Sequence, residues 1–191
     1  MHVILPHSDP RETNLDTELI CTRRWVERVV VGLSLCPFAT DPFRNNTIRY
    51  ATSKATDAHD ILADLLNELS ILDGAGGPRT TLLVIAEALS EFEDYLDLFA
   101  AAEALIEQTE HADRYQLVSF HPEYIFAGAD PDDVANQTNR APFPTIHILR
   151  RADVARAIRE HDDVTSIPDD NITRLRALGI DAFKKLLAAV P

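Results

Sequence analysis

Residues 80–86 (Thr-Thr-Leu-Leu-Val-Ile-Ala) form a nearly continuous apolar run, set between two stretches with helical periodicity. A strand with no polar face must be covered on both sides. The helical stretch before it, 57–72, places Ile61, Leu62, Leu65, Leu66, Leu69 and Leu72 on one stripe, and Asp73-Gly74-Ala75-Gly76-Gly77-Pro78 stops it. The stretch after it, 92–109, turns Phe92, Leu96, Phe99, Ala102 and Ile106 inward. Ser90 and Glu93 have the spacing of a capping box, with Ser90 as the expected N-cap.

Further elements follow the same logic. Leu19, Val26, Val29, Val30 and Leu33 share a helical stripe over residues 15–34, with Trp25 beside it. That helix must end before Pro37. Residues 36–46 are rich in turn formers, and 47–51 is a short strand candidate. Tyr115–Phe120 and Thr145–Arg150 are the other two strands, separated by a long connection, 122–144, with turn residues and no periodicity. Connections of that length inside a compact domain are usually functional or mobile. Residues 153–160 form a short helix, and 169–189 is helical with a break at Gly179.

The alternation of helix and strand predicts an α/β fold: one domain over residues 14–191, with a mixed sheet of about four strands covered by helices. The first strands are expected parallel and the fourth antiparallel to the third. Residues 1–13 are expected to form a loose arm.

The 191 residues carry a net charge of −13, which repels phosphate backbones and argues against a nucleic-acid partner. No apolar run reaches the ~18 residues of a spanning helix, so no membrane partner is expected. Residues 1–10 are polar and lack an apolar core of signal-peptide length. Two cysteines fifteen positions apart, Cys21 and Cys36, make no disulfide framework and suit a reducing cytoplasm.

Ligands of open α/β sheets bind beyond the carboxyl ends of the parallel strands. Glu87 follows the second strand there, and His121 ends the third. An antiparallel fourth strand would bring Thr145 and His147 alongside. Counting along each strand puts Ser119 with His121, and Thr145 with His147, opposite the apolar faces. The expectation is two imidazoles on one face; the alternative is a pair of histidines satisfied by backbone carbonyls. Three chemistries fit. His121, His147 and Glu123 would supply the two imidazoles and one carboxylate of an open zinc or iron site. Arg140 offers a planar fork for a carboxylate or phosphate, with Asn139 to orient an amide or carbonyl, unless both simply staple their loop. Cys36 is a thiol candidate for nucleophilic catalysis, although a helix C-terminus before it would raise its pKa. Cys21, within the helix, looks structural.

Two motifs are decoys. The Gly74 to Pro78 segment precedes a strand and lacks the Lys-Ser/Thr of a phosphate loop. Leu178-Gly179-Ile180 has one glycine in an acidic chain, which favours helix packing over nucleic-acid contact.

Trp25 to Val30, Gly32-Leu33-Ser34-Leu35-Cys36-Pro37-Phe38-Ala39, Gln116 to Pro122, Asn136-Gln137-Thr138-Asn139-Arg140-Ala141-Pro142-Phe143-Pro144 and His147-Ile148-Leu149-Arg150 occur in an order that resembles a bacterial domain-of-unknown-function family of about this length. The resemblance covers roughly residues 15–160. It implies no activity, but it ties Cys36, His121, Asn139, Arg140 and His147 into one set. The chain departs from the pattern at Ala141, where the family usually has Ser, and at Arg151, where it tends to have Glu. The pattern does not fix a carboxylate at 123, which weakens the metal reading. The expected function is an enzyme acting on a small anionic metabolite, with Arg140 and Asn139 binding and His121 or His147 as acid or base. The alternative is a non-catalytic binding or interaction module.

Overall fold

A computed structural model describes residues 17–160 and 165–188; the expected arm at 1–13 lies outside them. In chain order the elements are α1 (Thr17–Trp25), a π-helical continuation (Val26–Val31), α2 (Thr40–Arg44), β1 (Ile48–Ser53), α3 (Ala58–Asp73), β2 (Thr80–Ile85), α4 (Phe92–Glu107), β3 (Tyr115–Phe120), a 3₁₀ turn (Val134–Thr138), β4 (Thr145–Arg150), α5 (Arg151–Glu160), α6 (Ile167–Leu178) and α7 (Ile180–Ala188). No helix among the described residues is long and apolar enough to cross a membrane.

The sheet runs β1-β2-β4-β3. β1 and β2 are parallel, and β4 is antiparallel to both of its neighbours. All six residues of β2 are buried, as their unbroken apolar pattern requires. One sheet face carries Ala51, Leu83, Ile85, Ile146 and Ile148 against α3 and α4. The other carries Ile48, Tyr50, Leu82 and Phe120 against α1, the π segment, α6 and α7, with Trp25, Val29, Leu175 and Phe183 filling the gap. The result is an α/β/α sandwich around two cores.

The π segment widens the helix at the level of the sheet, an irregularity found often at functional sites. Gly32 closes it. A Cβ there would lie 2.3 Å from the Arg28 carbonyl oxygen, so only glycine fits without moving the backbone.

Two local expectations are corrected. α4 starts at Phe92 with Glu91 as its N-cap and no side-chain cap. The Ser90 box fails because Leu89 takes a positive φ of 60° and turns the chain, delaying the helix by one residue. The first helix ends at Val31, so Cys36 does not sit on a helix C-terminus. The turn-rich stretch after it holds the short α2.

Candidate functional site

The β3–β4 register decides which residues can form a site. His147 stands opposite Val118, and Thr145 opposite Phe120. Opposed residues of an antiparallel pair project from the same face. His147 therefore shares a face with Val118, Phe120 and its β2 partner Leu82. Ser119 projects from the other face, and the His121 ring lies on that side too, 5.2 Å from the Phe92 and Tyr95 rings of α4. The expected pairing of His121 with His147 is corrected: the two imidazoles lie on opposite faces of one sheet.

His121 is fully buried, and both its nitrogens are engaged. Nδ1 accepts the Glu123 amide at 3.1 Å, so Nε2 carries the proton and donates to the Leu89 carbonyl at 3.0 Å. This is the backbone-satisfied histidine, and it holds Leu89 in its positive-φ turn. Glu123 is exposed. The zinc or iron set His121, His147 and Glu123 does not fit: the imidazoles are separated by the sheet, and His121 has no lone pair left to offer. Among the described residues, the group of three potential ligands within reach of one ion is Asp57, His59 and Asp60, all exposed. It is accounted for by helix capping, since Asp57 accepts the Asp60 amide at the start of α3.

Asn139 and Arg140 also turn inward on their own loop. Arg140 Nε donates to the Tyr124 carbonyl and Nη2 to the Pro131 carbonyl, each at 3.0 Å. Asn139 Nδ2 donates to the Ser119 carbonyl at 3.1 Å, and the Asn139 carbonyl receives the His121 amide. Buried Asn136 completes the set, accepting the Phe126 amide and donating to the Asp130 carbonyl. These side chains supply the backbone bonds that a long loop without a ladder lacks. Glu87 is exposed beyond the end of β2, apart from the cavity described next.

On the α1 face the sheet, the π segment, the Cys36 turn and α5 enclose an open-mouthed cavity of about 410 Å³, within the range of small-molecule sites. Its walls are mostly apolar: Trp25, Val26, Val30, Ile48, Leu82, Val118, Phe120 and Leu149. Two of the expected site residues line it together, Cys36 and His147.

Thr80 fixes the state of His147. The Thr80 hydroxyl lies 2.7 Å from the Ile148 carbonyl and 2.8 Å from His147 Nε2. A hydroxyl has one proton, and a carbonyl can only accept it. His147 Nε2 must therefore be the donor to Thr80, which leaves Nδ1 unprotonated. Nδ1 has no hydrogen-bond partner among the described residues, on a half-buried ring that lines the cavity. Burial pushes the imidazole pKa down to about 4, so the ring is neutral near pH 7. Burial also raises the Cys36 thiol, against the lowering effect of the Phe38 and Ala39 backbone N–H groups that point at its sulfur. Both groups are therefore neutral, not a thiolate–imidazolium pair.

Charge gathers at the mouth. Asp153 of α5 receives Arg79 through Nε at 3.3 Å and Nη2 at 3.1 Å, and Arg156 through Nη2 at 2.5 Å. Burial alone would raise the Asp153 pKa, but the two guanidinium groups overcome it and hold the carboxyl below its usual range. Asp41 and Glu160 also line the mouth. Arg150 does too, but its guanidinium is bonded to Tyr115 Oη and to the Leu72 and Pro78 carbonyls.

A family model described as a protein of unknown function, DUF1415, matches residues 19–185. The chain belongs to that family. No curated protein and no solved structure matches it. Of the set that the resemblance tied together, the fold divides the members: Cys36 and His147 face the cavity, while His121, Asn139 and Arg140 build the 122–144 loop. Sequence reading missed Thr80, Arg79, Asp153 and Arg156. Trp25 was visible beside its helical stripe, but nothing in the spacing marked it as a cavity wall.

Proposed function

We propose that this DUF1415 protein is an enzyme acting on a small anionic molecule with an apolar body, bound in the α1-face cavity, with His147 as acid and base. The observation that carries the reading is His147 itself: a neutral imidazole, one nitrogen fixed by Thr80 and the other open, in a mostly apolar cavity. A base oriented through its far nitrogen is the arrangement that proton transfer requires. Negative charge brought into this cavity by a ligand favours the charged form of the ring and moves its pKa up from about 4. Cys36 lines the same cavity. It enters the chemistry as a protonated group, or as a nucleophile only after a bound ligand changes its surroundings. Neither cysteine forms a disulfide, which suits the reducing cytoplasm this reading assumes.

A second reading, a ligand-binding module without catalysis, is favoured by the neutrality of both His147 and Cys36. One experiment separates the two. The protein is incubated with the small-anion fraction of a cell extract, and the fraction is followed by mass spectrometry. Enzyme action consumes a component with the wild type and not with His147→Ala. Retention of a component by both proteins, without consumption by either, leaves only the module.

A further inference from the structure

The cavity mouth has no spare positive charge. Arg79, Arg150 and Arg156 are matched by three carboxylates, Asp41, Asp153 and Glu160. With these charges matched, an anion added beside them gains little, and it gains most where one carboxylate gives way. Asp153 is the one in contact with both guanidinium groups, and it occupies the Nε–Nη2 fork of Arg79 that a carboxylate ligand would use.

We infer that Asp153 is an internal stand-in for the ligand's anionic group: a carboxylate ligand displaces it from Arg79 and Arg156 and lays its apolar body on the Trp25 side of the cavity. This deepens the function proposed above and rests on it. It names Arg79 and Arg156 as the residues that read the anion, and Asp153 as the competitor that sets affinity. Displacement is easy at this position. Arg79, Arg156 and Asp153 side chains are 37%, 45% and 26% exposed, and ion pairs this wet are weak. α5, which carries Asp153 and Arg156, has no buried residue, so the carboxylate can swing away without opening a core. The inserted anion recovers the same two guanidinium partners.

The chain has one tryptophan, and it lines this cavity, so its fluorescence reports occupancy. The probes are hexanoate and benzoate, with hexanamide and benzamide as neutral isosteres. Asp153→Asn is expected to tighten hexanoate and benzoate roughly fivefold or more, the loss of one exposed ion-pair competitor, and to leave the amides unchanged. Asp153→Glu, which keeps a carboxylate, is expected to stay near wild type. Arg79→Gln combined with Asp153→Asn is expected to lose the preference for acids. Circular dichroism melts verify that each variant is folded. If the acids bind but Asp153→Asn leaves them equal or weaker, the stand-in is overturned while the cavity reading stands. If neither acids nor amides bind any folded variant, the cavity reading falls with it.

Discussion

Thr80 sets the proton of His147: its hydroxyl bridges the imidazole Nε2 and the Ile148 carbonyl, at 2.8 and 2.7 Å. The two residues lie on adjacent strands, β2 and β4, so the tautomer is fixed by the sheet itself and not by a mobile loop. Thr80→Val keeps the shape and removes the bridge. It leaves the ring N–H without its partner, while the Ile148 carbonyl keeps its place in the β2–β4 ladder, and is expected to cost about 1–3 kcal/mol in urea unfolding. Nitrogen NMR of the ring should show a single Nε2–H form in wild type and a mixture in the variant. A wild-type ring protonated on Nδ1 would contradict the assignment.

The low pKa of His147 makes a pH prediction. Folding lowers it from an ordinary 6.5 to about 4, so between these values the unfolded chain binds the proton and the folded one does not. Stability from this residue is complete above pH 6.5 and is lost as pH falls toward 4, in total on the order of 3 kcal/mol. His147→Gln should flatten the slope of stability against pH in that window relative to wild type. Equal slopes for the two proteins would show that the ring is not held neutral.

The loop residues should behave as scaffold. His121→Gln and Arg140→Gln each break bonds to backbone groups, and losses of about 1–3 kcal/mol are expected. Limited proteolysis within 122–144 should accelerate in both. Ligand titrations read at Trp25 should not change beyond the loss of folded protein. A selective loss of anion binding in folded Arg140→Gln would return the anion site to that loop.

Cys36 should be sluggish at neutral pH. With its thiol raised by burial, iodoacetamide should alkylate it more slowly than an exposed cysteine at pH 7, and the rate should keep climbing to higher pH than it does for an exposed cysteine. Mass mapping separates it from Cys21. Rapid alkylation at pH 7 would mean a thiolate, and would make Cys36 the nucleophile.

Much of the fold was legible in local pattern. Tyr115–Phe120, which runs into His121-Pro122, and Thr145–Arg150, which follows Pro144, stand where the sequence put them, and the two-sided burial of β2 follows from its unbroken apolar run. The antiparallel return of β4 was also legible. The face of His147 was not, because parity along one strand says nothing about register against the next, and a shift of one residue moves every side chain to the other face. Arg140 and Asn139 misled for a different reason. The fork that grips a carboxylate also grips two carbonyls, and a loop with few backbone partners uses it first. Arg79, Asp153 and Arg156 meet through the packing of α5 over the start of β2, a contact 74 residues apart in sequence that no spacing announces.

The claim on which the rest depends is that the α1-face cavity binds a small anion. The most direct measurement is the Trp25 fluorescence of wild type and of Ala157→Phe, which fills the cavity from α5, titrated with hexanoate and with hexanamide. The account predicts a saturable change with hexanoate in wild type, a weaker one with the amide, and none with either in the filled variant. An identical response in both proteins, or none in the wild type with any of the short-chain carboxylates, would contradict it.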